Sequence, residues 1–489
     1  IGDPKQAIYA FRGADIFAYI EAKRAAGDNL CTLDRNWRTD PELIRAVNCL
    51  FERSPSPFVF DEIPFHPALP ARGAGERMLA EEGAGAPLRL LVLERDHEPK
   101  RSQVQSAQTQ IPQAIAADIA RLLASGATIR ASDAADGESG SASPPHPVGA
   151  GDVAVLCRTK KWARDIAEAL HGFGIASVLR VDDSVFDSPE AAELQAVMDA
   201  ASNPSHARSL RAALVTDLIG LGALDIEALG ERPEAWEEWL GAARQWQACW
   251  QAGGAIALLE KILLDHGSQE RLLSAPGGER RLTNFLHLAE LVQQAAQRGG
   301  MGPRALHTWL GRMRIDARAR SEETTEDALV RLESDAQAVQ LLTIHRSKGL
   351  QYPIVYCPDL WQGGLLKAED AARPRFHDPE DGFRLKLDLG SPGQSAAANR
   401  MRWESLAENR RLLYVALTRA MQRLVVVCGP FTDAGASALG FLLHPPPGAV
   451  PLDPDASDDF QDACRSYVKN ASDAELRAQL AELEAASDG

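Results

Sequence analysis

Alternation and helical spacing divide this chain into recognisable blocks. Asp34 to Pro41 is followed by apolar residues at Leu43, Ile44, Val47 and Leu50, one side of a helix. Leu88–Leu93 reads as a strand, and an apolar helical period covers residues 110–124. Residues 125–150 are rich in Ser, Gly, Ala, Asp and Pro and read as a flexible surface loop. Asp152–Cys157 is a buried strand, Trp162–Phe173 an amphipathic helix, and Ser177–Leu179 begins another strand. Strand, helix, strand in that order predicts a parallel α/β sheet.

From about 188 to 336 nearly everything reads as helix. Trp236, Trp239, Trp246 and Trp250 recur at spacings of three, seven and four, so they share a helical stripe. A stacking platform for bases would need several cations interleaved, and Arg244 is the one between these tryptophans; a helical core is the preferred reading. Strand signals resume at Val339–His345 and Ile354–Cys357. A long helix is predicted over 397–421, then a strand over Leu424–Cys428. The stretch beyond 430 reads as a linker-like tail with one helix, Asp473–Ala485. The fold class is therefore α/β, one sheet domain interrupted by an all-helical insertion.

At 489 residues two or three domains are expected, and 45% hydrophobic with 25% charged residues is the composition of a globular chain. A formal charge of -16 excludes a generally basic nucleic-acid coat, so DNA binding would need a local groove. The seven cysteines form no C-x-x-C pair, which points to free thiols in a reducing cytoplasm rather than zinc. No apolar run is long enough for a bilayer, so no membrane partner is expected.

Four segments carry candidate chemistry. In residues 2–15, Ile1-Gly2-Asp3 reads as a strand end entering a turn, after which Gln6 can reach a phosphate oxygen or a water. Tyr9, Phe11 and Arg12 have the composition of a single-strand stacking groove. In Arg35-Asn36-Trp37-Arg38-Thr39, the tryptophan can stack on a purine while Arg38 takes phosphate oxygens. Alone, that pair reads better as a core tryptophan beside a surface ion pair. In Thr343–Pro353 a strand enters a polar turn bearing Thr343, His345, Lys348 and Gly349, at the sheet end where α/β proteins bind ligands. A lone histidine is more often a satisfied, half-buried group. In Asn409–Ala420, Arg411, Val415 and Arg419 fall four apart, on one helical face, an arrangement suited to an arginine finger.

In this order the segments closely resemble motifs III to VI of the superfamily 1 helicases related to UvrD, in the branch of the exodeoxyribonuclease V beta subunit. GDPKQAIYAFRGAD, LDRNWRTDPELI, LLTIHRSKGLQYPIVY and RRLLYVALTRA carry the likeness, joined by SVFDSPEA, GLGALDIEAL and GGERRLTNFLHLAELV in the helical stretch. It runs from residue 1 to about 445.

The resemblance implies RecA-like domains: the end of the first over 1–30, the second over 31–187 and 337–430, a helical insertion over 188–336, and a tail toward a nuclease domain over 431–489. It implies ATP and Mg²⁺ as cofactors, with Gln6, Arg38 and Arg419 acting on the γ-phosphate and Trp37 stacking near the adenine. Tyr9, Phe11, Arg12, Thr343 and His345 would face DNA, and Lys348 would shape the turn joining the two sites. Implied partners are single- and double-stranded DNA and the gamma and alpha subunits of exodeoxyribonuclease V. The implied activity is ATP-dependent 3′–5′ helicase and exonuclease action in double-strand-break repair and homologous recombination. A UvrD-type repair helicase, or a non-catalytic DNA-binding scaffold derived from a helicase, are the alternatives.

Two departures stand out. The family usually has Glu where this chain has Gln351, expected to accept from the ribose; an amide oxygen still accepts. These residues contain no Gly-x-x-x-x-Gly-Lys-Ser/Thr loop and no acidic pair for magnesium. The stretch on its own is therefore expected not to hydrolyse ATP.

Overall fold

The computed structural model describes residues 2–8, 16–27, 29–71, 86–93, 103–129, 145–180, 184–275, 278–319, 337–363, 368–431, 433–446 and 457–487. Tyr9, Phe11 and Arg12, and most of the loop expected at 125–150, lie outside the described residues.

The elements run as α1 (Ile16–Ala26), β1 (Arg35–Asn36), α2 (Pro41–Glu52), β2 (Leu69–Pro70), β3 (Leu88–Val92) and α3 (Gln103–Ala124). Next come β4 (Thr128–Ile129), β5 (His146–Pro147), β6 (Val153–Cys157), α4 (Lys160–Gly172) and β7 (Ser177–Arg180). Seven helices follow: α5 (Pro189–Ser202), α6 (Ala207–Leu214), α7 (Ala223–Glu231), α8 (Pro233–Asp265), α9 (Ser268–Leu273), α10 (Gly278–Gly299) and α11 (Pro303–Ala319). The chain then forms β8 (Val339–Thr343), β9 (Tyr352–Cys357), α12 (Ala368–Ala371), β10 (Arg375–Asp378), β11 (Arg384–Leu387), α13 (Gln394–Leu417) and β12 (Ala420–Cys428). It ends with α14 (Ala438–Leu443), α15 (Ser457–Asn470) and α16 (Asp473–Ser487).

The chain divides into two compact units, residues 1–181 with 336–489, and residues 182–335. In the first, six strands form one sheet in the order β3-β12-β9-β6-β8-β7, and every pairing is parallel. The period of two sends alternate residues to opposite faces. Leu156, Val355, Leu424 and Val426 meet Leu43, Leu50, Leu413 and Leu439 on one face. Val155, Ile354, Val425 and Val427 meet Ile115 and Ile119 of α3 and Ile166 of α4 on the other. Both faces being covered explains why these strands are nearly continuous apolar runs. Each fully buried Leu, Ile or Val contributes roughly 1.5–3 kcal/mol.

Three expectations change here. The long helix ends at Leu417, not 421, and the strand begins at Ala420. Apolar residues flank that junction on both sides, broken only by Thr418, Arg419, Gln422 and Arg423, so periodicity alone does not place it. Gly2 is exposed and Asp3 caps a short 3-10 turn, Pro4–Gln6, so the segment carries the expected turn but no strand among its described residues. Residues 431–489, expected as a linker-like tail with one helix, hold that helix as α16 but add α14 and α15, with Leu439, Leu442, Leu443, Cys464, Val468 and Leu476 buried. Their Pro, Asp and Ala content masked a sparse but regular set of apolar anchors.

The second unit is all helix around its own core. Trp246 and Trp250 are buried, and Trp236 and Trp239 pack against the same cluster, so the tryptophan stripe is core. Gly254 interrupts α8 at φ 81, where a side chain would collide with the Gln293 amide that accepts from the Ala255 N–H at 2.9 Å.

Candidate nucleotide and DNA site

The first unit gathers residues from four distant segments beside the turn between α13 and β12. Asn36 fixes the first: its Oδ1 accepts from the backbone N–H of Arg38 at 2.8 Å and of Thr39 at 3.2 Å. Thr39 Oγ1 then donates to the Ala420 carbonyl at 3.0 Å, and the Asp40 N–H donates to the Met421 carbonyl at 2.8 Å. The backbone under Arg38 is thereby pinned to the start of β12. Its guanidinium turns inward, Nε donating to Gln351 Oε1 at 3.0 Å and Nη1 to the Thr418 carbonyl at 3.2 Å. The preceding residue, Trp37, is 63% exposed, while Arg38 is half-buried. This overturns the bland expectation of a core tryptophan.

Arg419 follows the helix rather than sitting on it, which corrects its expected place on the face of Arg411 and Val415. The guanidinium folds back: Nε donates to the Val415 carbonyl at 2.9 Å, Nη1 to the Leu350 carbonyl at 3.3 Å, and Nη2 to Thr418 Oγ1 at 2.9 Å. Arg419 is 1% exposed and all three acceptors are neutral. Burial and the neighbouring positive charge of Arg38 pull its pKa down to about 10, and burial lowers that of Arg38. Both remain cations at neutral pH. Two desolvated guanidiniums within electrostatic reach of each other are costly unless an anion joins them. Asp3 supplies part of that field, since its charge acts on Arg419 in the opposite sense.

Gln6 lies on the 3-10 turn that Asp3 caps, and its Nε2 donates to Asp3 Oδ2 at 2.9 Å. Lys5 pairs with Asp3 at 2.9 Å and sits 5.8 Å from the centre of the Tyr414 ring. Arg411, on α13, donates from Nε to the Ala7 carbonyl at 2.8 Å. Burial, then the charge of Asp3, drives the Tyr414 phenol well above its usual range. The turn holding Gln6 is thus seated on the helix that ends at the arginine pair.

The fourth segment leaves β8 at Thr343 and passes through a 3-10 turn, His345–Ser347. Thr343 and His345 are half-buried and Lys348 is exposed. Gly349 adopts φ 85, which favours glycine, and carries the chain to Leu350 and Gln351. The Leu350 carbonyl reaches Arg419, and the Tyr352 N–H donates to the Arg419 carbonyl at 3.0 Å. The structure therefore brings Gln6, Arg38, Gln351, Arg419 and the 343–349 turn to one region, with Trp37 on its surface.

Sequence reasoning missed three participants. Thr418 serves both arginines, by its carbonyl and its hydroxyl. Tyr414 and Asp3 shape the local field. Their only signal was a place inside a motif already singled out. As to a cofactor, the donors fit a polyphosphate: a buried and a half-buried guanidinium held on neutral acceptors can exchange those bonds for stronger ones to an anion. No group of three His, Cys, Asp or Glu suited to a metal occurs among the described residues.

Residues 310–429 match the UvrD-like helicase C-terminal domain. That stretch is similar to the helicase domains of that family. Its likeness extends further: it is 36% identical over 464 residues to the RecBCD enzyme subunit RecB of Escherichia coli, covering 91% of this chain and 37% of that protein. The Haemophilus influenzae RecB is 35% identical, covering 91% of this chain and 34% of its own length. Mycolicibacterium smegmatis RecB is 35% identical over the same share of this chain and 38% of its own. The chain thus spans a little over a third of these relatives and is RecB-like through both of its units. No helix among the described residues is long and apolar enough to cross a membrane.

Proposed function

We propose that the chain provides the second motor domain and helical insertion of an ATP-dependent 3′–5′ DNA helicase and exonuclease subunit. That protein would translocate on single-stranded DNA in double-strand-break repair and homologous recombination, within an assembly of the RecBCD kind. The observation that carries this reading is the guanidinium pair: Arg419 buried on three neutral acceptors, with Arg38 beside it. Such an arrangement stabilises negative charge developing on a transferred phosphoryl, where desolvated donors are worth most.

In this reading Arg38 and Arg419 hold the γ-phosphate end of ATP, Trp37 covers the base, and Gln6 orients water or phosphate. Mg²⁺ supplies charge neutralisation when bound. Thr343, His345 and Lys348 face the single strand, with Tyr9, Phe11 and Arg12 completing its groove. Arg419 touches the Leu350 carbonyl, so a shift of the guanidinium moves the 343–350 turn and couples the phosphate end to DNA. Backbone grip on DNA would be salt-dependent and largely blind to sequence.

The test is single-strand-stimulated ATPase of the full-length gene product that contains this chain, with Arg38→Ala and Arg419→Lys. Losses of at least about 10³-fold are expected, with binding to an oligothymidylate retained. ATP turnover within tenfold of the parent in both variants would overturn the reading and favour a DNA-binding scaffold.

A further inference from the structure

Gln351 and Arg38 stand 313 positions apart, yet their side chains meet at 3.0 Å. The backbone of Arg38 cannot drift, because Asn36 holds its N–H and the next two residues are tied to Ala420 and Met421. The mobile part is the guanidinium, and two of its seats differ. The Thr418 carbonyl belongs to the end of α13 and is fixed. The Gln351 amide is exposed, on the turn that follows Gly349, so a solute can reach it.

We propose that Gln351 is a positioning residue that parks Arg38 while no nucleotide is bound and gives it up when phosphates arrive. This rests on Arg38 being a phosphate contact, as argued above. An amide oxygen is a neutral acceptor, and a phosphate oxygen forms a charge-assisted bond of roughly twice the strength. The guanidinium therefore changes partner when an anion enters, and the released Oε1 becomes available to a hydroxyl of the ligand. A carboxylate at this position would form an ion pair with Arg38 and compete with the incoming anion. The amide keeps the hold weak enough to be broken by the ligand itself.

The experiment follows the Arg38 Nε–H directly, by ¹⁵N NMR of the full chain, with Arg38→Lys to assign the resonance. Exchange of that proton with water should quicken about tenfold in Gln351→Ala and slow about tenfold in Gln351→Glu. Sodium triphosphate, a probe without a sugar, should shift the resonance in the parent chain. Its midpoint should be about tenfold higher in Gln351→Glu at matched ionic strength. Unchanged exchange in Gln351→Ala, or equal midpoints in the parent and Gln351→Glu, would overturn the proposal. Should Gln351→Ala free the proton while triphosphate leaves Arg38 unmoved in the parent, the release step and the phosphate reading of Arg38 both fall. The amide contact would then survive as a structural one.

Discussion

Arg411 reaches from the middle of α13 to the carbonyl of Ala7 at 2.8 Å, joining two segments 404 positions apart in sequence. It does so as a buried cation whose Nη1 has no hydrogen-bond partner among the described residues, and burial lowers its pKa to about 10. The bond and the desolvation oppose each other.

Substitution at Arg411 should separate those effects. Arg411→Met keeps the length of the stem and removes the buried charge, so a cost of about 1 kcal/mol or less is expected. Arg411→Ala also opens a cavity against Phe60, and about 3 kcal/mol is expected. Urea midpoints of the two variants give the comparison; equal losses would mean that the hydrogen bond, not the packed stem, is what matters.

Asp359 is fully buried at the end of β9, and both of its oxygens accept from the Arg158 backbone N–H at 2.9 Å. Burial nevertheless raises its pKa from 3.8 to about 7. The folded carboxyl holds its proton more tightly than the unfolded one, so its stabilising contribution is complete below the unfolded value. It is then lost as pH rises towards about 7. Asp359→Asn, neutral throughout, removes the effect. The stability of the parent relative to this variant should therefore decline between about pH 4 and pH 7 and stay level above. Chemical denaturation across that range measures it, and a parallel pH course for the two proteins would refute the assignment.

Trp246 is completely buried in the helical unit, 6.5 Å from Trp239 and 5.8 Å from His266 between ring centres. Trp246→Ala should cost about 3–5 kcal/mol. If the stripe served DNA instead, the variant would lose affinity for an oligothymidylate without loss of stability. Thermal melting and fluorescence anisotropy on the same samples distinguish the two.

What the sequence made legible was whatever depends on local periodicity. Val153–Cys157 and Val339–Thr343 were readable as strands because sheets covered on both faces demand apolar runs. The tryptophans were readable as core because their spacing puts them on one helical stripe with few cations near it. What stayed hidden depends on partners far away in sequence. Nothing near Gln351 announces that its amide meets Arg38, and nothing near Arg410 announces that it is 1% exposed, 4.0 Å from the Phe441 ring. The end of α13 was hidden for a different reason: Leu412 to Val427 is apolar enough to be helix or strand at most points, with Arg419, Gln422 and Arg423 as its strongly polar breaks.

Thr418 offers the sharpest test of how the two arginines are held. Its hydroxyl accepts from Arg419 Nη2 at 2.9 Å while donating to the Tyr414 carbonyl at 2.8 Å; its own carbonyl accepts from Arg38. Thr418→Val keeps the shape and the carbonyl but removes the acceptor from Arg419. Thr418→Ser keeps both. If the hydroxyl orients Arg419 for charge stabilisation, kcat for single-strand-stimulated ATP hydrolysis should fall about tenfold in the valine variant. KM should change little, because Arg38 retains its seat, and the serine variant should recover most of the rate. A merely structural role would lower the melting temperature of Thr418→Val and leave kcat of the folded fraction untouched. A loss confined to the serine variant would assign the effect to packing of the methyl group, which valine retains.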